Sequence, residues 1–559
     1  MEKKRLLTIV LTIAMSAFTL HAQNPSWAKK AASAVFTLKT FRADGSLLAS
    51  SNGFFTNEDG IALSCFAPFK GAERAVIIDA QGKEWPVESL IGANEMYDVA
   101  KFQVAIKKAT ALPLASAATK GDTVWMMPYS AKKTPDCQRG TVNSTETFQD
   151  KYLYYTLSVP ANEQNTGCPV LDDNGQVLGL LQPSTTTSTT NYAVSAPFVN
   201  DIHASAFNAT DPTLRSTAID KALPDSQDEA LLALYMSASA MDNARYENLV
   251  DRFIQKFPDS ADGYINRARI LTAKGSFEAA DKDMKQALST GDKKDDVHYQ
   301  YAQLIYQKEV YQSSQPYPDW SLDRALSESQ EASRLNPQPV YRQQQAQILY
   351  AQKKYDEAYT IYNELTTGPL RSAEIFYAAA QCKLQTGDRN TMLALLDSAV
   401  NTFTKPYVKT AAPFLLARAQ ALHDAGKYRP AVSDYNEYEA LMASQLTADF
   451  YYLRHQAEVG GHLYQQALDD IKRATEMAPQ EALYWAEKAS LELRVGMTDE
   501  ALKTAKQCIS TDPGMSDGYL FLGVAQCVKG QKSEGLQNLS KAKELGNSQA
   551  QSLIDKYSK

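Results

Sequence analysis

Small side chains recur at near-regular intervals through the second half of the chain, and this periodicity constrains the fold more than any other feature. Two helices that cross closely need small residues at their contact, so the pattern predicts stacked pairs of helices. A partner position follows twelve residues later in all units but the second, where an insertion around residues 311–318 lengthens the interval. The marker positions, with a histidine in one unit, recur every 34 to 44 residues: Ala268, Ala302, Ala346, Ala380, Ala419, His455, Ala489 and Gly523.

The period resembles that of the tetratricopeptide repeat, a pair of helices about 34 residues long. The clearest unit begins at Ala482, carries Ala489 and Ala501 at the predicted crossing, and ends at Pro513. The resemblance covers residues 228–559 and implies an all-α superhelix of about eight to nine repeats with a capping helix. In such arrays the first helix of each pair lines the concave face.

Glutamine follows the marker directly in five successive units, and tyrosines lie one turn away. The resemblance places these residues in the groove, where amides can pair with the backbone of an extended peptide and tyrosines add apolar area. An alternative stays open, because glutamine is also a good exposed helix former that duplication would repeat. The predicted binding residues are Gln303, Gln347, Gln381, Gln420, Gln456, Tyr299, Tyr377 and Tyr452.

The first part of the chain, residues 28–205, has a different pattern of short apolar runs separated by turn signals. Turns such as Asp59-Gly60 and Asn174-Gly175 alternate with these runs. Many short strands with such punctuation predict an all-β barrel or sandwich. The predicted strands are residues 34–40, 53–56, 61–64, 75–79, 100–104, 123–127, 152–159 and 177–181.

Seven segments in order resemble the trypsin-like serine peptidases, especially the bacterial high-temperature-requirement type. This resemblance implies a double β-barrel of the chymotrypsin kind, so the expected fold is an N-terminal double barrel followed by the helical array. The segments are residues 51–64, 94–100, 112–124, 139–142, 165–171, 175–179 and 191–197.

The residues at the positions of the catalytic triad do not form a triad. The resemblance places Ala67 at the histidine position, Asp98 at the aspartate and Thr166 at the serine, and Gln164 replaces a glycine that helps to form the oxyanion hole. A hydroxyl nucleophile needs a base, and no histidine lies between residues 22 and 202. We therefore expect a pseudo-peptidase, with no catalytic residue. The alternative is an unusual endopeptidase that uses Thr166, with the repeats recruiting substrate.

The remaining segments indicate an exported protein. Residues 1–22 have a basic start, a short apolar run and a small residue at the end, which is typical of a signal peptide. Residues 206–227 read as a linker. The net charge of −7 argues against nucleic acid as the main partner. We expect a periplasmic or extracellular protein, not inserted in the membrane, that binds a polypeptide or an envelope protein, while the oligomeric state stays open.

Neither a cofactor nor a metal ion is expected. The sequence has no Gly-rich phosphate loop, no Cys-x-x-Cys pair and no His-Glu-x-x-His motif. Six cysteines are present, and export would permit disulfides. The sequence leaves two alternatives for these cysteines: a disulfide between Cys137 and Cys168, or buried free thiols.

Overall fold

The computed structural model describes residues 24–131, 135–148, 152–186, 190–291 and 293–559. The predicted signal peptide lies outside these residues. The chain forms two compact units, one holding residues up to Lys274 with Ala279–Thr290, the other Gly275–Glu278 with Gly291–Lys559. Within the described residues, no helix is long and apolar enough to cross a membrane.

Six antiparallel strands close the first barrel of the first unit, in the order β1-β2-β3-β6-β5-β4. Alternate side chains point inward along the strands, and the interior is filled by rings such as Phe36, Phe55 and Phe102. The strands are β1 (Val35–Phe41), β2 (Leu47–Phe55), β3 (Ile61–Ser64), β4 (Arg74–Ile78), β5 (Glu84–Asn94) and β6 (Val99–Val104).

A second closed barrel follows, in the order β10-β11-β12-β9-β8-β7. Its interior holds Tyr155, Leu157 and Val170. The strands are β7 (Thr123–Met126), β8 (Gln138–Phe148), β9 (Tyr152–Leu157), β10 (Pro169–Leu171), β11 (Val177–Gln182) and β12 (Asn191–Ser195). The expected double barrel is confirmed.

One apolar cluster joins the two barrels and holds the loops between them in place. Phe54 and Leu63 of the first barrel share this cluster with Trp125 and Leu180 of the second. A short N-terminal helix, α1 (Ala28–Ala32), packs onto the same cluster. The loop after β3 and the loop before β10 are therefore anchored by a common core.

The predicted linker runs along the first barrel. Its one helical turn is α2 (Pro212–Arg215), and Lys221 then pairs in parallel with Leu90 of β5. The Leu90 amide donates to the Asp220 carbonyl at 2.8 Å, and the Ala222 amide donates to the Leu90 carbonyl at 2.8 Å. The domain limits predicted from sequence stay a prediction.

Paired helices make up the remainder of the chain, as the periodicity predicts. The long insertion lies between α7 and α8. The helices are α3 (Gln227–Ser237), α4 (Asn243–Lys256), α5 (Ala261–Ala273), α6 (Phe277–Ser289), α7 (Lys294–Tyr311), α8 (Leu322–Leu335), α9 (Pro339–Ala351), α10 (Tyr355–Leu365), α11 (Ala373–Gln385), α12 (Arg389–Val400), α13 (Ala412–Asp424), α14 (Tyr428–Met442), α15 (Ala448–Gly460), α16 (Tyr464–Met477), α17 (Ala482–Arg494), α18 (Thr498–Thr511), α19 (Ser516–Val528), α20 (Lys532–Glu544) and α21 (Ala550–Ser558).

The predicted small positions lie at the helix crossings. In five units both members are alanines with no exposed surface, for example Ala489 and Ala501. A Cβ on Gly523 would lie 2.8 Å from the carbonyl oxygen of Gly535, so these two helices touch backbone to backbone. The exception, His455, is also buried, and its Nδ1 lies 2.9 Å from the carbonyl oxygen of Ala467.

Arginine–aspartate bridges whose partners are sixteen residues apart in sequence recur beside these crossings. Each arginine projects from a first helix and binds both carboxylate oxygens of an aspartate on the second. In the second compact unit of the chain, the Nε–Oδ2 distance is 2.7 Å between Arg418 and Asp434 and 2.6 Å between Arg454 and Asp470. Bidentate pairs of this kind add geometric specificity to the helix contact.

All six cysteines are free thiols in the structure. Cys137 Sγ lies 3.8 Å from the sulfur of Met127, and Cys168 is fully buried. Of the two alternatives left open by the sequence, the structure has the free thiols.

Candidate functional site

The loops between the barrels bring the triad-like positions onto anchored backbone. Asp98 lies in the turn before β6 with a left-handed φ of 52°, and its Oδ1 accepts a hydrogen bond from the backbone amide of Ala67 at 2.6 Å. Burial raises the pKa of the Asp98 carboxyl, while the hydrogen bond from Ala67 opposes this shift. The side chain of Ala67 is an exposed methyl group, so Asp98 binds a backbone amide at this position and no imidazole.

Thr166 follows a single 3₁₀ turn, Glu163–Asn165, that its own loop stabilises. The Thr166 hydroxyl donates to the Glu163 carbonyl at 2.7 Å, and its amide donates to the same oxygen at 3.2 Å. Asn162 caps the turn, because its Oδ1 accepts from the Gln164 amide at 2.9 Å. The hydroxyl and both nearby amides therefore have partners within the loop.

Asn52 holds this loop against the first barrel. Its backbone amide donates to the Thr166 carbonyl at 2.8 Å, and its Nδ2 donates to the Gln164 carbonyl at 2.8 Å. Gly167 has a φ of 80°, and a Cβ there would overlap the Asn52 carbonyl oxygen. The contact fixes the 3₁₀ turn from outside, across more than a hundred residues of sequence.

His203, the nearest histidine to the barrels in sequence, lies at a different place. It lines a cavity of about 810 Å³ together with Lys101 and Lys256, and Thr166 is not among the lining residues. Lys101 Nζ donates to the carbonyls of Val199 and Ile202 at 3.1 Å and 2.9 Å. The cavity wall is shared by the first barrel, the segment that follows β12, and the later residues 222–229 and 252–256.

Two buried cysteines lie next to the triad-like positions, and their thiols stay protonated. Cys65 is fully buried beside Asp98, and burial, followed by the charge of that carboxylate, raises the pKa of its thiol well above the usual value. Burial likewise raises the pKa of the Cys168 thiol. A protonated, buried thiol is a poor nucleophile.

In the second unit the structure gathers three of the predicted groove residues around one cavity. Gln347, Gln381 and Tyr377 line a space of about 260 Å³ together with three further tyrosines. We call this the tyrosine pocket. Its principal members are Tyr306, Tyr350, Tyr362, Tyr377, Gln347 and Gln381.

The other predicted groove residues lie outside this pocket. Gln303 and the backbone of Tyr299 both contact Gln344, whose Nε2 lies 3.4 Å from the Gln303 Oε1 and 2.9 Å from the Tyr299 carbonyl. On α15, Gln456 Nε2 donates to the Tyr452 hydroxyl at 2.8 Å. Gln420 is exposed on α13. Whether these residues bind a ligand stays a prediction.

Comparison with known protein families gives one match in each part of the chain. Residues 51–180 match the family of the trypsin-like peptidase domain, and residues 261–290 match a tetratricopeptide repeat family. The chain contains a trypsin-like peptidase fold and tetratricopeptide repeats. The match to the trypsin-like peptidase domain establishes the fold of that part and not its activity, because one fold can carry different functions.

Solved structures that are similar to about a third of this chain include proteases. The active form of the Rv3671c protease from M. tuberculosis is 16% identical, with a TM-score of 0.29, and the match covers 33% of this chain and 85% of that one. The HtrA-type protease AlgW, solved with a tripeptide, is 19% identical, with a TM-score of 0.28, covering 32% of this chain and 62% of that one.

A curated relative matches the repeats. The Small glutamine-rich tetratricopeptide repeat-containing protein 2 of Saccharomyces cerevisiae is 30% identical over 82 residues. The match covers 15% of this chain and 24% of that protein. The chain therefore spans about a quarter of the length of this relative.

Some residues of the trypsin-like and tetratricopeptide sites were not found from the sequence. Asn52 has no local signal, because its partners lie in a loop more than a hundred residues away. Tyr362 belongs to α10, a second helix, whereas the groove pattern was sought on first helices only. Spacing along one helix cannot reveal a side chain that reaches the pocket from its neighbour.

Proposed function

We infer that this protein is an exported scaffold or adaptor, in which a catalytically inactive trypsin-like domain accompanies tetratricopeptide repeats that bind polypeptide partners. Location in the periplasm or outside the cell rests on the composition of residues 1–22. Sequencing the N-terminus of the protein from the cell envelope tests this part. A start near Gln23 is expected, and an intact Met1 contradicts it.

The observation that carries the inactive assignment is the hydrogen bonding of the loop around Thr166. An oxyanion hole works only if its donors are free to reach the developing charge. The amides of Gln164 and Thr166, which occupy the corresponding positions, donate to Asn162 and Glu163 instead. Removing one such donor costs roughly a hundredfold to a thousandfold in rate.

The absence of a base beside Thr166 also supports the assignment of an inactive domain. The Thr166 hydroxyl donates a hydrogen bond to the Glu163 carbonyl oxygen, which is not basic enough to remove the proton. Asp98 is engaged by the Ala67 amide, where an imidazole would otherwise be oriented. Without a base the threonine hydroxyl stays protonated and a weak nucleophile.

Support for polypeptide binding comes from the repeats. Gln347 and Gln381 present amides beside an aromatic cavity, and an amide can both donate to and accept from a peptide backbone. The tyrosines supply apolar area together with a polar end. Such a surface suits an extended, unfolded segment of another protein.

Incubation with unfolded casein separates the scaffold from the alternative endopeptidase. The chain without residues 1–22 is expected to leave casein intact over many hours, and a Thr166→Ala variant is expected to behave identically. Casein fragments that appear with the wild-type chain and not with Thr166→Ala would establish the endopeptidase.

Groove binding is tested by the combined change Gln347→Ala and Gln381→Ala. Binding of fluorescent carboxymethylated casein, followed by anisotropy, is expected to weaken about thirtyfold, since each of the two lost hydrogen bonds is worth about 1 kcal/mol, about 2 kcal/mol together. The matched control is Gln465→Ala with Gln507→Ala, two exposed glutamines on second helices. Equal affinity in both double variants would support the solvated-face alternative.

A further inference from the structure

Four tyrosines from four different helices converge on the tyrosine pocket of the second unit. Tyr306 comes from α7, Tyr350 from α9, Tyr362 from α10 and Tyr377 from α11. Tyr362 is only 5% exposed and forms a buried part of the wall. An arrangement drawn from four helices belongs to the packed array and requires no loop to close it.

Packing outside the pocket holds these rings in fixed positions. The Tyr350 ring meets Tyr355 edge-on at a centroid distance of 5.2 Å, and the Tyr377 ring meets Phe414 edge-on at 5.8 Å. Edge-to-face pairs at these distances are favourable. A guest would therefore find the wall already formed, which lowers the entropy lost on binding.

The wall of the pocket is mainly aromatic and carries no charged side chain. Burial raises the pKa of the Tyr306, Tyr350 and Tyr362 hydroxyls, so they remain protonated at any physiological pH. The remaining lining residues are a tyrosine, an alanine and two glutamines, and the lining contains no acidic or basic side chain. A carboxylate or ammonium group would lose its hydration here without gaining a partner charge.

The volume of the tyrosine pocket fits a single inserted side chain. Pockets for cofactors and drug-sized ligands usually measure about 300–1,000 Å³, and this one holds about 260 Å³. Ala378 leaves part of that space open, because a larger residue at its position on α11 would fill it. Gln347 is exposed and Gln381 half-buried, so their amides can meet the backbone on either side of an inserted side chain.

We propose that the tyrosine pocket is an anchor site for one aromatic or large aliphatic side chain in an extended, uncharged segment of a partner polypeptide. This inference rests on the proposed function, since it names what the groove recognises. The inserted side chain gives up its contact with water, and the two glutamines hold the neighbouring peptide groups.

The test is selection of a random twelve-residue peptide library on the full chain without residues 1–22, followed by affinity measurement. Selected peptides are expected to share one Phe, Tyr, Trp, Leu or Met, and its replacement by alanine should weaken binding ten- to a hundredfold. The Ala378→Leu variant fills the pocket and should weaken the same peptides at least tenfold. Ala417→Leu is the matched control, because Ala417 is the equivalent half-buried residue of the next unit.

The outcomes separate this inference from the proposed function. Peptides that bind Ala378→Leu as tightly as wild type, with circular dichroism showing both variants folded, would leave groove binding intact and overturn the anchor site. A shared charged residue would overturn it as well. Self-association of the chain that Ala378→Leu abolishes would make a second copy the occupant and overturn the peptide. Failure to select any peptide would contradict groove binding itself.

Discussion

Glu458 of α15 is buried beside Asp470 and Arg454, and its replacement by glutamine has a large expected effect on stability. The side chain is 4% exposed. Burial, followed by the charge of Asp470, raises the pKa of the Glu458 carboxyl from 4.5 to about 8, while Arg454 opposes the shift. The carboxyl is therefore protonated in the folded protein at neutral pH and ionised in the unfolded chain.

The difference between the two pKa values sets the magnitude. Below pH 4.5 Glu458 is protonated in both the folded and the unfolded protein, so it does not make the free energy of unfolding depend on pH. Between 4.5 and about 8 the unfolded chain releases the proton and the folded chain keeps it, so stability falls by about 1.4 kcal/mol per pH unit. At pH 7 the wild type has lost about 3 kcal/mol in this way. Glutamine keeps the shape and a hydrogen-bond donor without this loss.

Denaturant unfolding followed by helical circular dichroism measures the effect. We expect Glu458→Gln to be about 3 kcal/mol more stable than wild type at pH 7, with the difference shrinking towards pH 4.5. Glu476→Gln, at an exposed carboxylate of α16, is the control and should show little pH-dependent difference. A Glu458→Gln difference that is the same at pH 4.5 and pH 8 would refute the reasoning.

Three further predictions follow from the contacts. The double change Ala67→His with Thr166→Ser restores a base and a serine but leaves the oxyanion amides engaged, so casein should stay uncleaved above background; steady hydrolysis would contradict this. Gly535→Ala, usually favourable in a helix, should destabilise by about 1–3 kcal/mol in a denaturant titration, because its Cβ would overlap the Cys527 sulfur; a gain in stability would show that α19 and α20 can separate. Arg418→Met should cost about 3 kcal/mol by the same titration, since Asp434 would stay buried without its partner; an unchanged midpoint would show that the bridge contributes nothing.

The sequence predicts the helical array well because helix crossing is a local requirement repeated many times. Residues such as Ala489 and Ala501 must be small because two helix backbones approach each other there. His455 stands at such a position in its own repeat, and its ring nitrogen lies within hydrogen-bond distance of the Ala467 carbonyl oxygen. The insertion after α7 was found for the same reason, since it changes one interval and leaves the others intact.

The barrels were predicted less completely. The predicted strands do not include β5, β8, β10 or β12. In β5, Pro86 and two register shifts interrupt the alternation of buried and exposed residues. The seven ordered segments still indicate the double barrel, since each segment marks a turn or strand that closure requires. Order along the chain therefore predicts the fold where the periodicity of single strands does not.

The candidate sites were predicted only in part, because side chains distant in sequence complete them. The vacant histidine position at Ala67 is readable from order along the chain, but the 3₁₀ turn at Glu163–Asn165 and its contact with Asn52 are not. Similarly, Gln347 and Gln381 follow from the repeat, whereas Tyr362 reaches the pocket from a second helix.

The central claim is that no hydroxyl between the two barrels is activated for attack. Intact-mass spectrometry after incubation with a fluorophosphonate, a reagent that modifies activated hydroxyl nucleophiles, tests it most directly. The account predicts an unmodified chain under conditions in which trypsin is fully labelled. A stoichiometric adduct that maps to Thr166 and disappears in Thr166→Ala would contradict it.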